Sequence, residues 1–415
     1  MRLSGMKYGF VSALSRGRYD GPRHLGRSLT RGWRMPAFSP PFYGPALTGF
    51  SQADLLEAAR AHRAAARKRG PVSVYDKPKA AEGGEMGDYY SAAPYWWPNP
   101  DSADGLPYVH RDCERNPATE LYSAESNQFD RTALQYMLDG VAASTLCGLR
   151  LGDVAALDDA AGLIRTWFLD PATAMNPNMN FAQVRPGHRG GQGAPSGLIE
   201  VRDLCFLPDW AYWLHQVRAL SAAEYGGLKR WFRELLVWFE RSYQGQAERR
   251  SSNNHATNNL LLSLSLSHFT GDRGRMAASL ARAEEQLAAQ FSEGGEQSHE
   301  ARRPHYLHYC TYNLQAWLLV ARLCDHAGSA LGPNAVHTFD RAAQVLWALF
   351  LDNPAQEEAE NFEPRRLRPI LMEISCLGRA PWALDALNHA RLGGGECEFH
   401  PFTGVPVYWR LLFAQ

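Results

Sequence analysis

The chain has 415 residues, of which 45% are hydrophobic and 21% are charged. These proportions are typical of a globular protein with a substantial core, and they exclude an intrinsically disordered chain. The 43 Lys and Arg residues balance the 43 Asp and Glu residues, so the overall charge gives no reason to expect nucleic acid or an anionic membrane as a partner. Any attraction for an acidic substrate must come from a local cluster.

Residues 1–50 are irregular, and through residue 34 they are rich in arginine with a single acid, Asp20. The apolar patch at 8–14 is at the lower limit for the core of a signal peptide, and no convincing cleavage site follows it. We interpret 1–50 as a basic N-terminal arm, with a transit-like leader as the alternative. No apolar run in the chain approaches the roughly 20 residues that would span a bilayer.

Helical periodicity starts at residue 52 and recurs through most of the chain. Two segments without periodicity, 71–125 and 170–200, interrupt it, and loops that long in a compact domain are usually functional. Alternating strand patterns are nearly absent. The sequence therefore predicts an all-α fold, a helical toroid or large bundle, in a single domain at 51–415. The predicted helices are 52–70, 128–148, 152–168, 203–218, 222–243, 255–270, 273–291, 307–327, 333–352 and 380–391.

The first candidate site lies at the predicted entrance of helix 255–270, where residues 251–259 read SSNNHATNN. Serine and asparagine are good N-cap residues, so capping explains one or two of them. Four short polar residues in succession exceed what capping requires. Amide side chains and the free backbone N–H groups of a helix entrance both suit an anion, so this segment is a candidate for binding a carboxylate, with His255 as a base, a donor or only a polar neighbour.

The second candidate site lies in EARRPHYLHYCTYNLQAW, residues 300–317. Arginine pairs bidentately with a carboxylate, and a tyrosine beside cations can have its pKa lowered enough to act as a base. The alternative is a surface arginine pair with tyrosines packed polar tips outward. The candidates are Arg302 or Arg303, His308, Tyr309 and Tyr312.

Together the two segments supply neutral donors, an imidazole, a guanidinium and a phenol. This set fits removal of a proton beside a carboxylate, as at C5 of a uronic acid. That proton becomes removable when the C6 carboxylate is neutralised and fixed donors stabilise the enolate-like charge. A base must reach C5 while an acid protonates the leaving O4.

The order of six segments resembles the alginate lyase family, and within it the branch that includes glucuronan lyases. The segments are YWWPNPDSADGLPY, RTWFLDPATAMNPNMNFAQ, GLIEVRDL, NNH, EARRPHYLHYCTYNL and HPFTGVPVYW. The resemblance covers most of the chain and implies a polysaccharide lyase with an (α/α) toroid. We expect no cofactor and no metal, because arginine and amide groups would do the neutralising and three histidines near 300–308 lack a carboxylate partner at metal-ligand spacing.

By position, the resemblance places the family's catalytic residues on Asn254, His255, Arg303 and Tyr309, with Arg302 as the alternative arginine. The implied reaction is syn β-elimination in a β-1,4-linked polyuronate, either glucuronan or mannuronate-rich alginate. Asn254, His255 and Arg303 would neutralise the C6 carboxylate. Tyr309 would act as base at C5 and acid at O4, with His255 as its partner or as an alternative base.

Further residues are candidates for substrate binding: Arg302, Tyr95, Trp96, Trp97, Gln183, Arg185, Arg202, His308 and Tyr312. The aromatic residues at 95–97 would form a sugar-stacking wall or lid, or else a local hydrophobic plug. Arg202 could bind a neighbouring carboxylate, or could form a structural ion pair with Glu200.

The chain departs from the family pattern at Asn258, where relatives often carry an aromatic residue, and at Pro304 and His305. These departures leave sugar preference open, together with a second hypothesis of a carbohydrate-binding protein that has lost catalysis. A third hypothesis is a lyase acting on a smaller acidic substrate. We expect an anionic polysaccharide as partner and a monomeric protein that binds neither nucleic acid nor membranes. The substrate class suggests an extracellular or periplasmic location, although no clear signal peptide supports it.

Overall fold

The structure is a computed structural model that describes residues 52–332, 334–376 and 380–392. All of these residues belong to one compact unit, 37–415. The predicted arm at 1–50 and the HPFTGVPVYW segment lie outside the described residues. In the described part of the chain, no helix has the length and apolar character needed to cross a membrane.

The described residues form thirteen α-helices and four short strands. The helices are α1 (Gln52–Arg69), α2 (Asp130–Leu151), α3 (Val154–Ile164), α4 (Leu207–Gln216), α5 (Ala222–Arg241), α6 (Tyr243–Arg249), α7 (Asn254–Thr270), α8 (Arg273–Gln290), α9 (Tyr306–His326), α10 (Ala335–Asp352), α11 (Pro354–Glu360), α12 (Arg368–Cys376) and α13 (Pro381–Leu387). Each predicted helix overlaps one of these, which confirms the all-α class. The sequence missed α6, α11 and α12, which at seven, seven and nine residues are too short to show a clear hydrophobic period.

The helices are arranged in an inner and an outer set. Fifteen of the seventeen residues of α7 and fourteen of the 21 residues of α9 are buried, whereas α5 buries only six of twenty. A helix buried on all sides lies inside a fold, and an amphipathic helix covers it from outside. Inner helix α7 packs against α5, α8 and α9, and α2 packs against α1 and α3. These layers form the predicted helical toroid.

The entrance of α7 shows which of its polar residues serve as caps. The Asn253 side chain accepts a hydrogen bond from the His255 backbone N–H, as expected of an N-cap residue. At the other end, Gly271 stops the helix with a left-handed φ of 74°. Capping therefore accounts for Asn253 and leaves the side chains of Asn254 and His255 for other contacts.

The first long segment is fixed to the toroid by a buried ion pair. Lys77 Nζ lies 3.0 Å from the carboxylate of Asp130, the first residue of α2, and both side chains are 1% exposed. The same ammonium group donates to three backbone carbonyl oxygens of the segment, and Asp130 accepts from the Tyr90 backbone N–H. These contacts pair the two buried charges through Asp130 Oδ2 and dock the segment on the start of α2.

Short strands and amides join the two long segments. Strand β1 (Tyr90–Ala92) pairs in parallel with β4 (Phe181–Val184), and β2 (Trp96–Trp97) pairs antiparallel with β3 (Val109–His110). The carboxylate of Asp88 accepts from the amides of Asn176 and Asn178 at 2.9 and 3.0 Å. Both segments are thereby held against each other at the end of the toroid where α2 begins.

Candidate active site

A cavity of about 380 Å³ lies where the two long segments meet the starts of α2, α7 and α9. Arg131 reaches it from the first turn of α2, Asn254 and His255 from the first turn of α7, and His308 and Tyr309 from the first turn of α9. Side-chain acceptors already occupy the first N–H groups of α7 and α9, so the dipoles of these helices, and not free N–H donors, favour negative charge in this region.

Most of the predicted site residues line this cavity, although they come from widely separated parts of the sequence. Those in the lining are Tyr95, Trp96, Gln183, Arg185, Asn254, His255, Arg303, His308, Tyr309 and Tyr312. The predicted juxtaposition of the two candidate segments, around residues 254 and 309, is therefore present in the fold.

The structure does not place Arg302, Trp97 or Arg202 in the cavity lining. Arg302 is exposed to solvent beside Arg303. The indole N–H of Trp97 donates to a backbone carbonyl in the adjoining loop. Arg202 is buried behind the site, with its guanidinium carbon 4.3 Å from the centre of the Tyr312 ring and its Nε 3.6 Å from Asp203. The expected structural ion pair of Arg202 thus forms with Asp203 and not with Glu200.

Tyr309 lies at the centre of a hydrogen-bonded group. Its hydroxyl accepts from Arg303 Nη2 at 2.9 Å and lies 3.1 Å from the hydroxyl of Tyr95. The guanidinium carbon of Arg303 is 4.0 Å from the centre of the Tyr309 ring. Asp112 accepts from Arg303 at 2.7 and 3.2 Å and so fixes the guanidinium against the phenol.

The protonation state of Tyr309 differs from the sequence-based expectation. Burial and then Tyr95 raise the pKa of Tyr309 above its usual value, and Arg303 offsets only part of that effect. The phenol of Tyr309 therefore holds its proton at neutral pH. The sequence had led us to expect the opposite, a pKa lowered by neighbouring cations. The expectation was wrong because it included the charge of Arg303 but not the loss of solvent around the phenol.

His255 is held by a carboxylate of α6. Its Nδ1 lies 2.6 Å from Glu248 Oε1, and the Glu248 side chain is only 4% exposed. Burial alone would lower the pKa of His255, but Glu248, assisted by Glu300, outweighs burial and raises it. The pair favours a protonated imidazole, which is suited to facing an anion.

Asn254 is held by a second carboxylate, Glu300, which is 1% exposed. Glu300 accepts hydrogen bonds from both the backbone N–H and the side-chain Nδ2 of Asn254, the latter at 2.9 Å. One Nδ2 hydrogen of Asn254 is not used in this contact, because an amide nitrogen carries two. Glu300 therefore fixes the amide while leaving a donor for a ligand.

The back wall of the cavity is built around Glu200. Its carboxylate accepts from the hydroxyls of Tyr89 and Ser91 at 2.9 and 2.6 Å and from the Gln183 amide at 3.3 Å. Gln183 has a left-handed φ of 52°, a backbone conformation that is costly for a residue with a side chain. Such strain persists where surrounding contacts hold it, and here the Ser196 hydroxyl also donates to Gln183 at 2.7 Å.

Positive charge predominates in the lining. Four guanidinium groups line the cavity, whereas the lining carboxylates are those of Asp112 and Glu200. The arginines are Arg115, Arg131, Arg185 and Arg303. A balanced chain thus concentrates cations at one place, which supplies the local attraction for an acidic ligand that the composition could not.

Trp96 forms an aromatic wall on one side of the cavity. The Arg185 guanidinium carbon lies 4.5 Å from the centre of its ring, and the rings of His188 and His110 pack against it at 4.8 and 5.3 Å. Trp96 thus lines the cavity, whereas Trp97 supports the neighbouring loop, and sugar stacking on Trp96 stays a prediction.

His308 plays a different part from His255. Burial, and then Arg366 and Arg115, lower the pKa of His308 well below its usual value. Its Nδ1 lies 2.7 Å from Arg366 Nη1, and its ring stacks on Tyr312 with centres 6.0 Å apart. His308 is therefore neutral and orients the aromatic side of the site.

The departures from the family pattern do not reach the cavity lining. Asn258 is 1% exposed, and its amide donates to the Asn254 carbonyl oxygen within α7 at 2.8 Å. The Pro304 carbonyl accepts from Gln356, and His305 precedes the first residue of α9. These three residues support the helices that carry the site.

Sequence reasoning missed four groups that set the geometry: Asp112, Arg131, Glu248 and Glu300. Asp112 lies 191 residues from its partner Arg303, and Glu300 lies 46 residues from its partner Asn254. Glu248 lies in α6, a short helix that the sequence did not predict. One signal was available for Arg131. It lies in the polar first turn of α2, and the first turns of α7 and α9 also carry site residues. Among the described residues, no group of three His, Cys, Asp or Glu side chains is arranged to hold a metal ion.

Comparisons with known proteins identify the family of the chain. A family model described as alginate lyase matches residues 73–356, which is more than half of the chain. The crystal structure of an alginate lyase from Bacteroides ovatus is 25% identical, with a TM-score of 0.73 over 86% of this chain and 92% of that one. Alginate lyase A1-III from Sphingomonas species A1 is 14% identical, with a TM-score of 0.45 over 87% and 99%. No curated protein sequence matches the chain.

Proposed function

Since this chain belongs to the alginate lyase family and is a polysaccharide lyase, we propose that it cleaves a β-1,4-linked polyuronate by β-elimination. The proposed substrates are glucuronan and mannuronate-rich alginate. One observation carries the proposal: the Tyr309–Arg303 pair and the Asn254–His255 pair line the same arginine-rich cavity. That cavity offers a proton-transfer group and several donors for a carboxylate in one place.

In the proposed reaction, Asn254, His255 and Arg303 neutralise the C6 carboxylate of the bound uronate. Tyr309 first releases its phenolic proton to solvent. As phenolate it takes the C5 proton, and the electrons left at C5 form a C4–C5 double bond while the C4–O4 bond breaks. Tyr309 then returns the proton to O4. Mannuronate and glucuronate have the same configuration at C4 and C5, which places H5 and O4 on one face and lets a single residue serve both transfers.

The raised pKa of His255 and the contacts of the Tyr309 hydroxyl support this division of roles. His255 is favoured as a cation by Glu248, so it is suited to neutralise a carboxylate and unsuited to accept the C5 proton. Tyr309 must lose its proton before it can act as a base, because burial raises its pKa. Arg303 and the Tyr95 hydroxyl are both within hydrogen-bond distance of the oxygen that would then carry the charge.

The proposal is tested by incubating the protein with glucuronan, polymannuronate, polyguluronate and polygalacturonate. We expect ultraviolet absorbance of a conjugated unsaturated uronate, and products with the mass of unsaturated oligouronides, from glucuronan or polymannuronate. Saturated products would contradict elimination, and the absence of any product from all four polymers would contradict the proposed function. The hypothesis of a binding protein without catalysis rested on Asn258 and Pro304, neither of which lines the cavity.

A further inference from the structure

A second, smaller cavity lies among α5, α6, α7 and α8, and it shares no lining residue with the proposed active site. Its volume is about 40 Å³. By the same measure a single water needs roughly 10–15 Å³, so there is room for about three waters or one small anion, and not for a sugar ring. The lining includes Arg249, Arg282, Asn259, Ser263 and Ser267.

Arg282 of α8 is the unusual group in this cavity. Its Nε and Nη2 atoms are inaccessible to solvent and have no hydrogen-bond partner among the described residues. Burial, and then Arg249, lower the pKa of Arg282 to about 9. A guanidinium normally stays charged far above that pH, and a buried cation without a counter-charge is costly to the fold.

The groups around Arg282 leave this charge uncompensated. The carboxylate in the lining, Glu240, is held by Arg275 through contacts of 2.7 and 2.8 Å. Ser267 of α7 is 0% exposed, and its hydroxyl has no hydrogen-bond partner among the described residues. The Arg282 guanidinium and the Ser267 hydroxyl therefore line one small cavity without a hydrogen-bond partner among the described residues, and the exposed Arg249 brings a second positive charge to the same lining.

We propose that this cavity binds a free inorganic oxyanion, phosphate or sulfate, between Arg282 and Arg249. A tetrahedral oxyanion accepts paired hydrogen bonds from a guanidinium and a further bond from a hydroxyl such as that of Ser267. It also supplies the negative charge that the buried guanidinium of Arg282 lacks. The site is separate from polyuronate cleavage, so its occupancy is measured without an activity assay.

The test measures binding and thermal stability at constant ionic strength, with chloride replaced stepwise by millimolar phosphate or sulfate. We expect a saturable heat of binding by calorimetry and a saturable increase in Tm, because a ligand that binds the folded state stabilises it. Arg282→Met should abolish both responses. Arg249→Met, at an exposed position that the fold tolerates, should weaken binding about tenfold or more through the loss of a charge-assisted contact.

Arg230→Met is the matched control, because Arg230 is exposed on α5 and does not line the cavity. It should bind phosphate as the wild type does. Sulfate and phosphate also stabilise proteins by exclusion from their surfaces, and that effect would be equal in all variants. An unsaturable response, or the same affinity in Arg282→Met, would overturn the site. Binding of glucuronate but not of phosphate or sulfate would overturn the inorganic-oxyanion assignment.

Discussion

Glu248→Gln keeps the size of the side chain but removes the charge that faces His255. In the wild type, Glu248 Oε1 lies 2.6 Å from His255 Nδ1 and raises the pKa of that histidine against the effect of burial. Without the carboxylate, burial acts with less opposition, so the pKa of His255 should fall. His255 would then lose its proton at a lower pH and cease to neutralise the substrate carboxylate.

The size of the change follows from the contact. A hydrogen bond to a charged group contributes about 1.5–3 kcal/mol. Since one pKa unit corresponds to about 1.4 kcal/mol, the pKa of His255 should fall by about 1–2 units. The alkaline limb of the kcat/KM profile, which reports groups in the free enzyme, should move to lower pH by the same amount.

The assay is the pH dependence of unsaturated uronate formation for the wild type, Glu248→Gln and Glu234→Gln. Glu234 is exposed on α5, so its replacement should leave the profile unchanged. An unshifted alkaline limb in Glu248→Gln, even with a lower rate at every pH, would refute the role of His255 as a cation.

Stability gives a second readout of the same pair. Because the folded-state pKa of His255 is raised, the contribution of the pair is complete below the unfolded-state value of about 6.5 and is lost as pH rises through the folded-state pKa. The difference in unfolding free energy between wild type and Glu248→Gln should therefore be largest in mild acid and decrease with rising pH. A difference that grows with pH would contradict the assigned charge state.

Three further changes have clear expected outcomes. Arg303→Ala should lower kcat by about 10²–10³-fold, because it removes a donor to the reacting phenol. Arg302→Ala, a change at the exposed neighbouring residue, should leave kcat almost unchanged. Equal losses in the two variants would contradict the placement of Arg303 in the site. Lys77→Met should destabilise the fold by about 3–5 kcal/mol in chemical unfolding, because it leaves a buried carboxylate unpaired; an unchanged denaturation midpoint would contradict the role of that ion pair. Trp96→Ala should raise KM several-fold with kcat little changed, in line with roughly 0.5–1.5 kcal/mol for an aromatic contact. Trp97→Ala should raise KM less. A larger rise in KM for Trp97→Ala than for Trp96→Ala would contradict the stacking wall.

Periodicity and capping residues predicted the helices well because they are local properties of the sequence. The polar entrance of α7 and the tyrosine-rich start of α9 stood out for the same reason, because each carries more polar side chains than capping and core packing of a helix require. The toroid brings these two helix starts to one cavity. The resemblance to the alginate lyase family, and not the local pattern, singled out Asn254, His255, Arg303 and Tyr309 within them.

Burial and partners at long separation could not be predicted in the same way. Glu300 contacts Asn254 across 46 residues, and Asp112 contacts Arg303 across 191. No local pattern marks either carboxylate as a partner. The pKa of Tyr309 was mispredicted for a related reason, because desolvation depends on everything packed around the phenol.

The central claim is that Tyr309 moves the proton from C5 to O4. The most direct test is the rate of unsaturated uronate formation by Tyr309→Phe, measured beside the wild type on a polyuronate that the wild type cleaves, with Tm and substrate binding measured on both. Loss of a proton-transfer group should lower the rate by about 10²–10⁴-fold while Tm and binding are retained. A rate close to that of the wild type would contradict the claim.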